Sequence, residues 1–536
     1  MTRRVDRRPA RAWLVAALAL AACGDRPGVE PSGPSAVQIP LSVVEGDWPD
    51  ADESVALTVE IADSGAAAIA QKAGLIARVV EPGDVPEIAT RCVAVKPGKP
   101  PVVIEVPLEA DLADFDLVRL RYATLGFLRV AAVVAVDSKE TYRSEDAERN
   151  RTLDPETIEF DLSALDGRSG SIDRIELHFQ EMTHQSAFFD LELVRRSAAA
   201  RLPSPLQPPP HVAIGNGSRE ATGLLPGVVL GGPIDAPAAG SIAIEASAEE
   251  RFGSAAAAEI RVALVEGGDQ LAAKTFEVGA EWTTLTLPFE RSRSEPVELR
   301  VTSETDGGAL VGTARWLAAP EPDRAPRTVL FITSDTHRAD YVGYADGGPG
   351  VRSPMIDSLA ERGTRFENAV SATSITNPSH ASMFTGLSVR DTGIVGNVVQ
   401  LSERANTLAE AYREAGFRTF AAVSARHMIP WRSGFGQGFE RYDAPARRAV
   451  RDGADTIDAV YAMLEDAGAH DVFLWLHLFE AHAPYRLHED FTPLYYEGDP
   501  YSEELDELAP EAQAGWDRRI RDKEYVLALY RGEVTY

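Results

Sequence analysis

A carboxylate and a hydroxyl in the second half of the chain have the residue types and the settings that ester-cleaving chemistry needs. Asp335 follows the apolar run VLFI at residues 329–332, and Thr376 opens the later segment TNPSHASMFTG. An aspartate is a hard oxygen ligand for a divalent cation, and coordination to such a cation is one of the few ways to turn a threonine hydroxyl into an alkoxide nucleophile. The two residue types fit a metal-assisted nucleophilic site, although each taken singly favours a turn or a helix cap.

Two secondary-structure elements are predicted to position this pair. The continuous apolar run at 329–332 predicts a buried strand of a parallel sheet, with Asp335 just after its carboxyl end. In open α/β sheets, ligands bind at that edge. Asn377 is a good N-cap and Pro378 a good first helical residue, so a helix is predicted to start there. Thr376 would then lie where free N–H groups and the positive end of the helix dipole stabilise an anion.

Six sequence blocks flank the Thr376 segment in a fixed order. They are VLFITSDTHRAD (329–340), SPMIDSLAERGTRFENA (353–369), TLAE (407–410), EAGFRT (414–419), GFGQGFE (434–440) and LHLFEAHAPY (476–485). Over residues 327–536 these blocks resemble the sulfatase family of the alkaline phosphatase superfamily. Six blocks in one order are a far more specific signal than any single block.

The resemblance implies an α/β fold for residues 325–536, of the alkaline-phosphatase/sulfatase-like parallel-sheet type and incomplete at the C-terminus. It also implies a metal-dependent hydrolase of sulfate or phosphate esters in which Thr376 is the catalytic nucleophile. Asp335 and Thr376 would bind a divalent metal ion, whether Ca, Mn or Zn. The substrate would be an anionic ester, namely a sulfated or phosphorylated glycan, lipid or small molecule.

Three histidines are candidates for substrate binding. By resemblance, His482 would contact the anionic head of the substrate, or else it occupies a turn before a proline. His427, with Arg426, matches the family's basic pair that polarises the leaving group, or else it lies in a surface loop. His380 either donates one hydrogen bond to an anionic oxygen or faces solvent. His477 is flanked by apolar residues and is predicted to be a core histidine rather than a ligand.

Two departures from the family pattern limit what carries over. Sulfatases use a Cys or Ser that is oxidised to formylglycine, followed by Pro and Arg, where this chain has Thr376, Pro378 and His380. Threonine cannot become formylglycine, so an alkoxide attack on phosphorus is favoured, and with it phosphate or phosphonate esters over sulfate esters. The family's later Asp-His metal ligands have no counterpart in the sequence. This predicts a truncated chain that binds divalent metal poorly and shows no hydrolase activity by itself.

The N-terminus predicts export and lipid anchoring. Five arginines among the first 11 residues precede the apolar run at 13–20, which is too short to span a bilayer, and LAACG at 20–24 matches a lipobox. Residues 1–23 are therefore predicted to be a lipoprotein signal peptide with lipidation at Cys23, followed by a tether at 24–36. An ordinary signal peptide with a chance cysteine is the alternative. A lipid anchor would place the protein in the cell envelope, at the outer membrane, the cell surface or in the periplasm.

Composition and strand patterns describe the rest of the chain. The 82 acidic against 53 basic residues give a net charge of −29, which argues against nucleic acid as a partner. Short alternating runs predict β-sandwiches of the jelly-roll type over residues 37–200 and 213–320, joined by a Pro-rich linker at 201–212. These domains are expected to support the hydrolase domain. The competing function is a non-catalytic, degenerate or truncated surface lipoprotein that binds glycans or anionic polymers.

Overall fold

The computed structural model describes residues 36–51, 53–64, 77–81, 91–96, 102–112, 115–124, 128–136, 139–144, 147–149, 152–162, 170–182, 185–207, 209–214, 217–248, 257–291, 295–305, 308–319, 324–345, 348, 350–445, 449–506, 508 and 517–536. The predicted signal peptide, its lipobox residue Cys23 and the tether up to residue 35 lie outside the described residues.

Antiparallel strands make up most of the described chain before residue 319. The strands up to residue 196 are β1 (Ala36–Ile39), β2 (Ser42–Glu45), β3 (Glu53–Glu60), β4 (Ala77–Val80), β5 (Cys92–Val95), β6 (Val102–Asp111), β7 (Leu117–Thr124), β8 (Leu128–Val136), β9 (Lys139–Arg143), β10 (Ala147–Arg149), β11 (Thr152–Asp161), β12 (Ser171–Met182) and β13 (Ser186–Arg196). After a short helix, α1 (Ala198–Arg201), the strands continue with β14 (His211–Ile214), β15 (Gly217–Leu224), β16 (Val229–Ile234), β17 (Ala239–Ser247), β18 (Ala258–Glu266), β19 (Asp269–Val278), β20 (Thr283–Glu290), β21 (Val297–Ser303), β22 (Ala309–Gly312) and β23 (Ala314–Ala318).

The first sandwich packs two of these sheets face to face. One sheet has the order β10-β8-β12-β6, with β9 on β8, and the other has the order β11-β7-β13-β5-β4, with β3 on β13. Val118 and Leu120 of β7 share one buried core with Ile104 and Leu177 of the opposite sheet. Every second residue along these strands faces that core, so the alternation in the sequence correctly predicts a β-sandwich.

The second sandwich includes the first two strands of the chain. Its sheets are β19-β18-β21-β16-β2 and β1-β23-β17-β22-β15, with β20 on β17 and β14 on β15. Ile39 of β1 lies in the same core as Leu230 and Trp316. The predicted domain boundary at residue 37 therefore differs from the observed pairing, since the first sandwich starts only at β3. Local alternation shows that a segment is a strand but does not specify its partner.

An α/β unit follows residue 324. Its elements are β24 (Thr328–Ser334), α2 (Pro354–Arg362), α3 (Thr376–Thr385), α4 (Val389–Thr392), α5 (Leu408–Glu414), β25 (Arg418–Val423), a 3₁₀ turn (Arg426–Met428), α6 (Pro430–Ser433), β26 (Arg441–Asp443), α7 (Gly453–Ala467), β27 (Val472–Leu478), a second 3₁₀ turn (Thr492–Leu494) and α8 (Lys523–Thr535). Among the helices described, none combines the length and the apolar character needed to cross a bilayer.

Helices cover both faces of the parallel sheet in this unit. The strand order is β26-β25-β27-β24, and all neighbouring strands run parallel. On one face, Met463 of α7 packs in a cluster with Leu474. On the other face, Ala381 of α3 and Ala409 of α5 pack in a cluster with Trp475. This is the layered α/β arrangement that the alternation of strands and helices predicts.

The strand that leads to Asp335 lies at an edge of this sheet. Within the described residues β24 pairs only with β27, and Leu330 and Ile332 are 52% and 47% exposed. The prediction of a buried strand is therefore wrong. Val329 and Phe331 face the α3 side and are only partly buried. An apolar run alone shows neither whether a second strand pairs beside it nor whether a helix covers both of its faces, and the face of β24 that carries Leu330 and Ile332 is left about half exposed.

The second sandwich and the α/β unit share one continuous sheet. Strand β15 pairs antiparallel with β26 through Gly217 opposite Asp443 and Ser218 opposite Tyr442. The pairing extends the antiparallel sheet directly into the parallel one. The α/β unit is thus joined to its neighbour by backbone hydrogen bonds as well as by side-chain contacts.

Buried ion pairs surround this joint. Glu245 of the second sandwich pairs with Arg219 and, across the joint, with Arg441 at 2.6 Å. Glu440 of the α/β unit pairs with Arg418 at 2.8 Å and, across the joint, with Arg315. Burial by itself raises the pKa of Glu245, but the charges of Arg219 and Arg441 outweigh it and lower the pKa to about 2. The charges at the joint therefore depend on residues of both units.

Candidate active site

Thr376 and Asp335 meet at the carboxyl end of the parallel sheet. The backbone N–H of Asp335, just after β24, donates to the carbonyl oxygen of Leu478 on β27 at 2.9 Å. From the start of α3, Thr376 Oγ1 donates a hydrogen bond to Asp335 Oδ2 at 2.9 Å. The two residues that the sequence pattern pairs are therefore in direct contact.

Helix α3 begins at Thr376 rather than at Pro378 as predicted. Ile375 is the N-cap residue. Asn377 is therefore not the N-cap. Its buried side chain links α3 to two other segments, because Nδ2 donates to the backbone carbonyl oxygens of Asn397 at 3.1 Å and His427 at 3.2 Å. Thr376 is thus the first residue of the helix, among the free N–H groups of the first turn and at the positive end of the dipole.

The ring of His380 is buried, and both of its nitrogens are occupied. Nδ1 lies 2.9 Å from the carbonyl oxygen of Thr376, and Nε2 lies 3.1 Å from Thr333 Oγ1, which also accepts from Trp475 Nε1 at 3.0 Å. Since a carbonyl oxygen only accepts, Nδ1 carries the proton and Nε2 accepts from the Thr333 hydroxyl. Burial, with a contribution from the neighbouring His477, lowers the pKa of His380 to about 4. The ring is therefore neutral at physiological pH.

This geometry corrects the predicted role of His380. Its side chain is only 4% exposed, so it neither faces solvent nor contacts substrate. It holds the backbone carbonyl of Thr376 and so fixes the first turn of α3. A neutral imidazole donates one hydrogen bond and accepts another here, whereas a guanidinium only donates and could not accept the Thr333 hydroxyl.

His427 and His482 lie on either side of Phe479. The Phe479 ring stacks on His482 at 4.1 Å between centroids and meets His427 edge-on at 5.9 Å. His482 Nδ1 is 2.6 Å from the carbonyl oxygen of Ala483, so Nδ1 carries the proton. His427 Nε2 is buried without a hydrogen-bond partner, and burial lowers the pKa of His427 to about 4.

His427 lies close enough to Asp335 and to His482 for their charges to interact. His427 interacts electrostatically with His477, with Asp335 and with His482. The sequence analysis overlooks Phe479, which joins the histidines. Its position directly after β27, inside the block at 476–485, is the signal that could have identified it, because side chains at that sheet edge converge.

His477 is fully buried, yet it adjoins the candidate nucleophile pair. Its Nε2 lies 3.6 Å from Asp335 Oδ2, and its ring meets His380 edge-on at 5.1 Å between centroids. Neither ring nitrogen has a hydrogen-bond partner. The residue is therefore a core histidine in its burial, as the sequence predicts, but a neighbour of the site in its position.

The charge of Asp335 is set by opposing effects. Burial by itself raises the pKa of this carboxyl, but the adjacent His477 ring and the Thr376 hydroxyl outweigh it and hold the pKa below its usual value. Asp335 is therefore ionised at neutral pH. An ionised, partly desolvated carboxylate can accept the Thr376 proton in a hydrogen bond and can also bind a cation.

Asp335 and Thr376 fit part of a divalent metal site. Their oxygens are 2.9 Å apart, and neighbouring ligands of one small divalent ion lie roughly 3 Å apart when metal–oxygen distances are about 2.1 Å. Within the described ranges, no group of three or more His, Cys, Asp or Glu residues is arranged to hold a metal. The pair would supply two ligands of an ion that wants about six.

The part of the chain that carries this site is similar to known proteins. Residues 327–536 match the sulfatase family. The chain is 35% identical over 91 residues to an ulvan-active sulfatase of Formosa agariphila, which covers 17% of this chain and 18% of that protein. It is 34% identical over 95 residues to a multifunctional alkaline phosphatase superfamily protein of Trinickia caryophylli, again over 17% and 18% of the two chains. The matches therefore span about a fifth of these relatives.

Among solved structures, a phosphonate monoester hydrolase of Agrobacterium radiobacter is similar to 39% of this chain and 56% of its own, at 17% identity and a TM-score of 0.31.

Proposed function

Since residues 327–536 form a sulfatase-family domain, we propose that this protein is a metal-dependent hydrolase of phosphate, phosphonate or sulfate esters that acts through Thr376. One observation carries the proposal. The Thr376 hydroxyl donates to the ionised Asp335 carboxylate at 2.9 Å from the first position of a ten-residue helix. A hydroxyl held in this way has its proton directed to a base and its oxygen beside an anion-stabilising helix end.

The residues of the site support a displacement in two steps. Thr376 Oγ1 attacks the phosphorus or sulfur atom and its proton passes by way of the Asp335 carboxylate to solvent, while the ester alcohol leaves with a proton taken from solvent. Water then cleaves the resulting threonine ester and releases the oxyacid. A divalent ion held by Asp335 and Thr376 would lower the pKa of the hydroxyl and supply positive charge near the anionic substrate.

The neighbouring side chains have complementary tasks. His380 keeps the first turn of α3 in place through the Thr376 carbonyl. The Nε2 atom of His482, whose ring stacks on Phe479, provides a hydrogen-bonding position for the substrate's oxygens, and His427 packs edge-on against the same ring. A neutral imidazole can donate or accept one hydrogen bond, so it can orient an anionic group without balancing its charge.

Phosphorus esters are the favoured substrates within this class. Threonine cannot be converted into formylglycine, so the route by which sulfatases release sulfate is closed to it. A phospho-threonine intermediate can instead be hydrolysed by water. The substrate class is therefore a phosphodiester, phosphonate or phosphomonoester, whether borne by a glycan, a lipid or a small molecule.

The proposal is tested by measuring turnover of different ester classes by the purified protein, and by removing single hydroxyl groups from α3. With Mn²⁺, Zn²⁺ or Ca²⁺ present, phosphodiester and phosphonate model substrates should turn over faster than aryl sulfates. Thr376→Ala should abolish turnover, and Thr376→Ser should retain part of it because the hydroxyl remains. Ser379→Ala removes a hydroxyl from the same helix and serves as the control. Full activity of Thr376→Ala would refute the nucleophile, and faster aryl sulfate turnover would refute the substrate order.

One observation favours a second function, that of a non-catalytic binding protein. In the part of the chain that the structure describes, Asp335 and Thr376 are joined by no third acidic or thiol ligand and by no clustered histidine ligand. A binding protein would retain the anion-binding helix end and lose the chemistry. Absence of turnover on every ester class with each metal, together with saturable binding of phosphate or sulfate esters, would support this alternative.

We also propose that the protein is anchored to the cell envelope by a lipid on Cys23. The proposal depends on the basic n-region, the short apolar run and the sequence LAACG at residues 20–24. A single acyl-modified cysteine would hold the catalytic domain at a membrane surface without a spanning helix.

A further inference from the structure

His477 is a buried polar side chain whose hydrogen-bonding capacity is unused. It lies in β27, in register with Thr333 of β24 on one side and Val423 of β25 on the other. Its relative exposure is 0%. Both ring nitrogens are buried without a hydrogen-bond partner. Buried polar atoms in native proteins are almost always paired, so an unpaired imidazole in the centre of a sheet needs an explanation.

The surroundings of the ring leave one carboxylate within reach. The His477 ring meets Trp475 at 6.1 Å and Phe479 at 6.0 Å, and both of these neighbours are aromatic. The ring of His380 is 5.1 Å away, but its two nitrogens are already bonded to other groups. Asp335 is the carboxylate that an N–H on this ring can reach, since its Oδ2 lies 3.6 Å from Nε2, just beyond hydrogen-bond distance.

Asp335 Oδ2 is also the atom that accepts the Thr376 hydroxyl. The rotation of the Asp335 carboxylate therefore decides where the candidate nucleophile is held. The backbone N–H of Asp335 donates to the carbonyl oxygen of Leu478, next to His477 in β27, which holds the backbone but leaves the carboxylate free to rotate. A donor on the ring of His477 would fix the carboxylate itself.

We propose that His477 is a positioning residue for Asp335. In its neutral form with the proton on Nε2, the ring directs an N–H at Oδ2 and keeps that oxygen turned towards Thr376 and towards a bound divalent ion. Outer histidine–carboxylate pairs orient metal ligands in this manner and raise their affinity for the ion. The effect on metal binding rests on the proposed function, whereas the contact between His477 and Asp335 does not.

The contact is tested without metal or activity, by NMR of the full chain with its ten histidines isotopically labelled in the ring. The His477 signals are assigned from their loss in His477→Gln. We expect the Nε2-protonated tautomer, and we expect its ring shifts to change in Asp335→Asn but not in Asp340→Asn, a control at an exposed aspartate paired with Arg338. An Nδ1-protonated His477 ring, or His477 ring shifts that are the same in Asp335→Asn as in the wild type, would overturn the proposal.

Metal affinity tests the consequence. Binding of Mn²⁺, followed by electron paramagnetic resonance, should weaken about 10- to 100-fold in His477→Phe. His477→Gln retains an N–H donor and should recover part of that loss. His470→Gln, a matched change at a histidine bonded to backbone carbonyls, should leave the affinity unchanged. Equal loss in the Phe and Gln variants would show a packing role only, and no loss in either would remove the positioning role.

The outcomes separate this inference from the proposed function. If the wild-type protein binds Mn²⁺ with the expected ranking of variants but hydrolyses no ester, the hydrolase assignment fails and the positioning role stands. If the wild-type protein binds no Mn²⁺, the NMR comparison decides alone. Thermal melting of each variant shows whether it has folded. If the Phe variant misfolds, His477→Gln, which keeps a polar side chain, still tests the proposal.

Discussion

The hydroxyl of Tyr530 donates to the carbonyl oxygen of Thr336 at 3.0 Å, which ties the C-terminal helix α8 to the turn that carries Asp335. The same hydroxyl accepts the backbone N–H of Arg338 at 2.9 Å. Thr336 has a positive φ of 55°, a conformation that β-branched residues rarely adopt. Such strain persists only where the surroundings enforce it, and it is concentrated at functional sites.

Tyr530→Phe should loosen this turn. The change removes a buried hydroxyl that makes two hydrogen bonds, so we expect the free energy of unfolding to fall by about 1–3 kcal/mol. Burial raises the pKa of Tyr530 to about 12, so the hydroxyl is protonated and makes both bonds at any physiological pH. Urea unfolding measures the loss. Tyr496→Phe, which removes a hydroxyl bonded to Asp522, is the control.

The same variant should also weaken Mn²⁺ binding, because the turn it loosens positions Asp335. A drop in stability with unchanged Mn²⁺ affinity would contradict the link between α8 and the site.

Glu245→Gln should destabilise the joint between the second sandwich and the α/β unit. The substitution leaves the buried guanidinium groups of Arg219 and Arg441 without their shared counter-charge. Breaking a buried ion pair by removing one partner costs about 3–5 kcal/mol. We expect the α/β unit to unfold at lower urea than in the wild type, as followed by tryptophan fluorescence.

Glu277→Gln, at an exposed position of β19, is the matched control for the joint and should change the free energy of unfolding by less than about 0.5 kcal/mol. Equal stability of the Glu245 and Glu277 variants would show that the two units do not depend on these charges.

His211 should make stability depend on pH. The residue belongs to β14, and its ring packs on the backbone of Gly436, where a Cβ atom would lie 2.4 Å from Nε2. Burial lowers the pKa of His211 from 6.5 to about 4. Between these two pH values the unfolded chain therefore binds more protons than the folded chain. The stability that the neutral His211 ring contributes is complete above about pH 6.5 and is lost as the pH falls towards 4.

A pKa lowered by about 2.5, at 1.36 kcal/mol per pH unit, corresponds to roughly 3 kcal/mol in all, of which about 2 kcal/mol is lost between pH 7.5 and 5. Urea unfolding at pH 7.5, 6 and 5 measures it. The difference between the wild type and His211→Gln should narrow as the pH falls, since glutamine does not titrate. Protonation of His380 and His427 also lowers the stability at acid pH, but it does so equally in the wild type and in His211→Gln and therefore cancels in this comparison. A difference that stays constant with pH would refute the assignment.

Cys23→Ala should release the protein from membranes or block its processing. Cys23 is the acylation point in the sequence LAACG, and without its lipid the mature chain has no other anchor that the sequence predicts. Fractionation of cells expressing each form, with detection by antibody, measures the distribution. Cys92→Ala leaves the signal segment intact and should stay with the membrane fraction. Unchanged fractionation of Cys23→Ala would remove the lipidation proposal.

The sequence by itself determined the type and order of the main elements. Alternation along β7 and the apolar runs of β24 and β27 identified strands, because the pattern of side chains around a backbone is local and survives without knowledge of the fold. The pairing of Asp335 with Thr376 also followed from the sequence. A strand end and a helix start each have local signals, and parallel sheets bring such ends to one edge.

Only the tertiary structure decided which of these elements is covered and which side chains meet. Among the described residues β24 pairs on one side only although it has the composition of a central strand, and β1 and β2 join the second sandwich, since a strand's partner is chosen by non-local hydrogen bonding. His380 turns inward onto the Thr376 carbonyl, and His477 reaches Asp335 from a neighbouring strand. Burial and contact are properties of several distant segments at once, so no residue's own neighbourhood in the sequence encodes them.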